Sequence, residues 1–109
     1  MGTGDFFNWL LGRLKRVRVA GFSMEPTLRD GQTVLVDHRA YKNAPPVVGD
    51  VVLAQWEKHS KTPSIKRISG MEEERYILRG DNPARSTDSA ELGSLPIEGL
   101  LAKVVCSFP

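Results

Sequence analysis

Apolar residues recur at helical spacing only near the front of the chain. Phe6, Phe7, Leu10, Leu11 and Leu14 stand three and four positions apart, with Trp9 beside them and Gly12 as a weak point. This spacing predicts a short amphipathic helix over 5–15. Such a helix either caps the domain core or lies on a membrane surface, apolar face down, with the basic residues that follow it near lipid phosphates. From Val17 onward the period shortens to two. Val17 and Val19 alternate with basic residues, and Thr33-Val34-Leu35-Val36 is bounded by Asp30-Gly31 and Asp37. Asp50 to Ala54 forms another strand, and Leu100 to Phe108 closes the chain as a last one. Ser64 to Ser69 and Arg75 to Arg79 pair as a hairpin, joined through Gly70 and the solvated run Glu72-Glu73-Glu74. Residues 43–49 are a loop, because Pro45 and Pro46 cannot donate to a central ladder. Residues 80–96, rich in Gly, Pro, Ser, Asp and Asn, are a long connection. Short strands at regular spacing predict a single all-β domain over 17–109, preceded by a short helix within 1–16.

Composition and charge narrow the function classes. The 109 residues are 40% hydrophobic and 26% charged, the balance of an ordinary globular domain. A chain of this size buries roughly two-thirds of its unfolded surface and can stand without staples. One cysteine, Cys106, rules out a disulfide framework, and His38 and His59 lie far apart, so no metal site and no cofactor is expected. The lone thiol suits a reducing cytoplasm. No stretch reaches the ~17–25 apolar residues of a membrane-spanning helix. The net charge of +2 is concentrated at the front, where Arg13, Lys15, Arg16 and Arg18 face Asp5 alone. The remaining 11 basic and 12 acidic side chains nearly cancel, which argues against a nucleic-acid partner. Those front charges follow the apolar run, whereas a secretory signal places them before it. The chain is therefore expected to stay in the cytoplasm or on the inner face of its membrane, with residues 5–18 as the contact.

Three polar segments put reactive groups where structure alone does not demand them. The first runs Gly21-Phe22-Ser23-Met24-Glu25-Pro26-Thr27-Leu28, and the second is Ile65-Lys66-Arg67-Ile68, with a lysine inside an apolar strand. The third is Gly80-Asp81-Asn82 followed by Ser86-Thr87-Asp88-Ser89. Singly, each has an ordinary reading: a turn serine, a strand lysine pointing to solvent, a Gly-Asp-Asn turn.

In this order, and with Gly49-Asp50-Val51-Val52 between the first two, the segments resemble the type I signal peptidase family over residues 17–105. The resemblance implies a coiled, barrel-like β scaffold, in agreement with the strand pattern. It also implies a serine endopeptidase with Ser23 as nucleophile and Lys66 as general base. By the same resemblance Ser86 orients the Lys66 amine and Asp88 braces the loop. Met24 packs beneath the nucleophile and Pro26 fixes the chain direction after it. Gly80, Asp81 and Asn82 are architectural, holding the turn that presents Ser86.

The chemistry of such a pair is demanding. A free lysine, with a pKa near 10.4, is neutral in only about 1 in 2,500 molecules at pH 7. Only the neutral amine can take the serine proton, so the site must bring that value down by roughly 2–3. Burial does this by disfavouring the charged form, and Ile65, Ile68, Val51 and Val52 are the expected dry surroundings. Arg67 cannot serve, because a guanidinium does not give up its charge.

Two departures from the family pattern stand out. Gly21 occupies the position where many signal peptidases carry a serine that helps hold the oxyanion, which leaves backbone N–H groups, that of Ser23 first. Ala90 replaces the arginine that usually follows the Asp-Ser pair. With only 22 residues before Ser23, the chain also looks like the proteases that mature nickel-type superoxide dismutase, with that proenzyme as substrate partner. General leader-peptide processing at a membrane surface, a self-cleaving repressor and a non-catalytic β binding module are the other readings. The repressor type needs an upstream DNA-binding domain and cleavable loop for which there is no room. Nothing in the sequence sets the oligomeric state.

Overall fold

The computed structural model of the chain describes residues 14–56, 62–85 and 92–108. These form one antiparallel sheet of six strands: β1 (Leu14–Arg18), β2 (Thr33–Asp37), β3 (Val51–Ala54), β4 (Ser64–Glu72), β5 (Arg75–Arg79) and β6 (Leu100–Ser107). Their spatial order is β1-β2-β6-β3-β4-β5, so β6 returns from the end of the chain to lie between β2 and β3. Among the described residues the helical elements are α1 (Ala40–Asn43) and single 3-10 turns at Pro83–Arg85 and Ile97–Gly99, and Leu92 is also helical. The all-β expectation holds.

Alternation along the strands builds two apolar clusters, one on each face of the sheet. On β3, Val52 and Ala54 join Trp56, Ile68, Tyr76, Leu78, Leu95 and Leu100 in one cluster. Val19, Met24, Leu28, Val34, Val36, Ile65 and Ala102 make the other, with Leu53 and Val104 packed against it. Each aliphatic side chain taken wholly out of water, such as Val34, Val52 or Leu78, stabilises the fold by roughly 1.5–3 kcal/mol. Strand β4 serves both clusters: Ile65 faces one, and Ile68 the other.

The sequence reading needs three corrections among the described residues. Leu14, Lys15 and Arg16, assigned to the front helix, open strand β1 instead, paired with Asp37, Val36 and Leu35 of β2. Cross-strand pairing there outweighs the local spacing. The rest of the expected helix lies outside the described residues. Gly70 is not in the hairpin turn. It sits within β4 beside a bulge between Ile68 and Gly70, and the turn is Glu73-Glu74, with φ of 51° and 63°. Two residues at positive φ make the type I′ loop whose twist matches the flanking strands. The third correction is α1, which takes Asn43 out of the loop expected over 43–49.

Candidate active site

The turn that carries Ser23 follows directly on β1 and is tied at both ends. The Val19 N–H donates to the Gln32 carbonyl at 2.8 Å, and the Gly31 N–H donates back to the Val19 carbonyl at 2.7 Å. Gly21 takes φ of +92°, a conformation that costs a residue with a Cβ but not glycine, and its N–H donates to Asp30 Oδ1 at 2.8 Å. That donor is therefore engaged. Within the turn the Glu25 N–H reaches the Phe22 carbonyl (3.2 Å) and the Leu28 N–H the Met24 carbonyl (2.9 Å), with a cis peptide at Glu25-Pro26. Met24 and Leu28 are 1% and 4% exposed and pin the turn to the core. Ser23 is left half-buried above it, and its N–H has no hydrogen-bond partner among the described residues.

Lys66 lies in β4, flanked by β3 and β5, directly opposite Val52. It is 4% exposed, whereas an ordinary strand lysine snorkels to water. It shares a sheet face with Val52 and with Ile68 two residues on, both buried. Its neighbour Ile65 projects to the other face, into the cluster that holds Met24. Thus the residue after Ser23 and the residue before Lys66 belong to one apolar cluster, which docks the turn on the strand.

A polar network joins the remaining segments. Arg67 donates twice to Asp81, from Nε to Oδ1 at 2.9 Å and from Nη2 to Oδ2 at 2.8 Å, and its Nη1 donates to the Gly49 carbonyl at 2.8 Å. The Thr27 hydroxyl donates to Asp81 Oδ2 at 2.6 Å. One residue on, Asn82 donates its backbone N–H to the Ser23 carbonyl at 2.8 Å and its side-chain amide to the Phe22 carbonyl at 3.1 Å. The hydrogen bonds from Arg67 hold the Asp81 carboxyl below the usual carboxylate range; partial burial opposes this, and the Thr27 hydroxyl and the Arg67 charge add to it. Asp81 in turn raises the Arg67 guanidinium. Gly49, at φ +101°, lies in the turn that the Asp50 N–H closes on the Val47 carbonyl at 3.0 Å, and the Asp50 carboxylate accepts from the Tyr41 hydroxyl (2.8 Å) and the Val47 N–H (3.1 Å). Burial first, then the hydrogen bond to Asp50, pushes the Tyr41 hydroxyl above its ordinary pKa.

The described parts of all four sequence segments therefore meet through Arg67, Asp81 and Asn82. Ser23, Met24 and Pro26 lie in the turn, Lys66 in β4, and Gly80, Asp81 and Asn82 just after β5, with Gly80 buried. Ser86 and Asp88 lie outside the described residues. Sequence reasoning gave Arg67 no part, yet it is the hub of the network. Its signal was the Arg-Ile pair that directly follows Lys66. Among the described residues no group of three or more His, Cys, Asp or Glu is placed to hold a metal, and no helix is long and apolar enough to cross a membrane.

Comparison with known proteins adds two findings. The family described as signal peptidase, peptidase S26, matches over residues 10–75, a span that takes in Ser23, β3 and Lys66 and stops short of Gly80-Asp81-Asn82. A protein of Arabidopsis thaliana, described as mitochondrial ATP-independent inner membrane protease subunit 1a, is 30% identical over 112 residues, covering 79% of this chain and 67% of its own length.

Proposed function

Because this chain belongs to the signal peptidase, peptidase S26 family, we propose that it is a serine endopeptidase that removes a leader peptide from a protein precursor, with Ser23 as nucleophile and Lys66 as general base. The observation that carries this is the burial of Lys66 at 4% exposure on the strand whose Ile65 shares a cluster with Met24. An amine shut away from water favours its neutral form, the form that accepts a proton. In the proposed cycle, Lys66 Nζ takes the Ser23 hydroxyl proton as Oγ attacks the scissile carbonyl. The ammonium then gives that proton to the leaving amine, and the leader stays on Ser23 as an ester. Water, deprotonated by the same amine, releases it as a carboxylate. The Ser23 N–H, left without a partner among the described residues, is the proposed oxyanion donor.

Ser86 and Asp88 enter the proposal in the roles the family resemblance implies, orienting the amine and bracing the loop. The narrower substrate proposal is the proenzyme of nickel-type superoxide dismutase, supported by the resemblance of the sequence segments to its maturation proteases. General leader processing at a membrane surface is the second reading, favoured by the inner membrane named for the Arabidopsis relative. In both, the chain works in the cytoplasm or on the inner membrane face, touching lipid through residues 5–18. Deleting residues 1–12 should then shift the protein from the membrane to the soluble fraction; unchanged partitioning removes the lipid contact.

Co-expression with a nickel superoxide dismutase proenzyme and, separately, with a secreted precursor tests the function. The mass of each product's N-terminus is the readout. Trimming of the first by the wild type and not by Ser23→Ala supports the narrow reading, and trimming of the second alone supports the general one. Trimming of either by Ser23→Ala contradicts both.

A further inference from the structure

The residue immediately before Ser23 is unusual for its surroundings. Phe22 keeps a large ring 43% exposed beside the nucleophile turn, and the guanidinium of Arg85 lies over it, with Cζ 4.9 Å from the ring centroid. Arg85 ends the 3-10 turn Pro83–Arg85 and is exposed. Two other arginines have their guanidinium groups engaged by the fold, Arg67 by Asp81 and Gly49, and Arg75 by the Ser94 hydroxyl and carbonyl. Arg85 differs. Its contact is with a π face, and no carboxylate or carbonyl among the described residues accepts from its guanidinium.

Two roles compete for this pair. As a tether between the turn and the segment after β5, an exposed cation–aromatic contact is weak, and the job is already done by the two hydrogen bonds of Asn82 to the Ser23 and Phe22 carbonyls. As a recognition element it is well made. The ring limits where the guanidinium can go, while donors in the guanidinium plane stay open to a second ligand. The fork of N–H groups matches a carboxylate.

We infer that Arg85, held over Phe22, is a specificity-determining residue that takes the carboxylate of an acidic side chain close to the scissile bond of the precursor. This rests on the peptidase reading with Ser23 as nucleophile. An extended peptide advances ~3.3 Å per residue, so a carboxylate within about three residues of the bond lies in reach of a group stacked on the residue next to Ser23.

The test uses the full chain and a precursor that the wild type cleaves and Ser23→Ala does not. Each of the three positions on either side of the cleaved bond is made Asp, Asn or Lys in turn, and kcat/KM is measured for each. At one position the wild type should favour Asp over Asn by about five- to tenfold, with Lys slowest. Arg85→Gln should bring the Asp-to-Asn ratio to about one, and Arg85→Glu should place Lys above Asp. Arg85→Lys should keep the order with a smaller ratio, which guards against a variant that merely folds poorly. A panel that is flat in the wild type, or an Arg85→Gln variant that slows all three precursors alike, overturns the assignment and leaves the peptidase reading standing. Failure of every precursor to show Ser23-dependent cleavage removes both.

Discussion

Arg67 and Asp81 meet through two hydrogen bonds of 2.9 and 2.8 Å, and each is the chain neighbour of a residue that bears on the site. Arg67 follows Lys66, and Asp81 precedes Asn82, which holds the Ser23 carbonyl. The ion pair thus joins the strand of the proposed base to the turn of the proposed nucleophile.

Asp81→Ala should lower stability at pH 7 by about 1–3 kcal/mol, the range for removing a charge-assisted hydrogen-bond partner. The gap should depend on pH with a definite sign. Asp81 titrates below the usual carboxylate range in the folded protein, so its contribution is whole above that range and is lost as pH falls through the folded value. Urea unfolding of both proteins at pH 7 and pH 3 should show a difference that narrows in acid. A gap that widens in acid would mean that the pair does not stabilise the ionised carboxylate.

Met24 and Leu78 are both fully buried, in different clusters. Either one changed to Ala should cost about 2–5 kcal/mol in stability. Only Met24→Ala should also slow precursor cleavage at a temperature where both variants are folded, because Met24 seats the turn that carries Ser23. Equal rates for the two variants would show that the turn keeps its place without Met24.

The Glu73-Glu74 turn carries two non-glycine residues at positive φ, at φ 51° and 63°. Replacing the pair with Asn-Gly, the preferred type I′ dipeptide, should raise stability by about 1–2 kcal/mol. It should also relieve the crowding of carboxylates in the Glu72-Glu73-Glu74 run. Thermal unfolding gives the answer, and a lower midpoint would mean that the glutamates make a contact on which the hairpin depends.

What the sequence reveals and hides follows from the range of the interactions. The strands were legible because alternation is local: Val34 and Val36, or Val52 and Ala54, announce a buried face within five residues. The segments bearing Ser23 and Lys66 were legible as residue types in order. The front edge of β1 was not, because Leu14 fits the helical spacing of Leu10 and Leu11, and only pairing with Asp37 draws it into the sheet. Gly70 misled because glycine usually marks a turn, whereas here it accompanies a bulge. The contacts of Arg67 with Asp81 and of Arg85 with Phe22 span 14 and 63 positions of chain, and neither leaves a periodic trace.

The proposed role of Lys66 as proton acceptor for Ser23 is tested most directly by Lys66→Arg, co-expressed with a precursor that the wild type trims. A guanidinium keeps the positive charge but cannot accept the serine proton at any working pH. The N-terminal mass of the precursor should remain that of the intact leader-bearing form. A trimmed product at the wild-type position would show that some other group activates the serine.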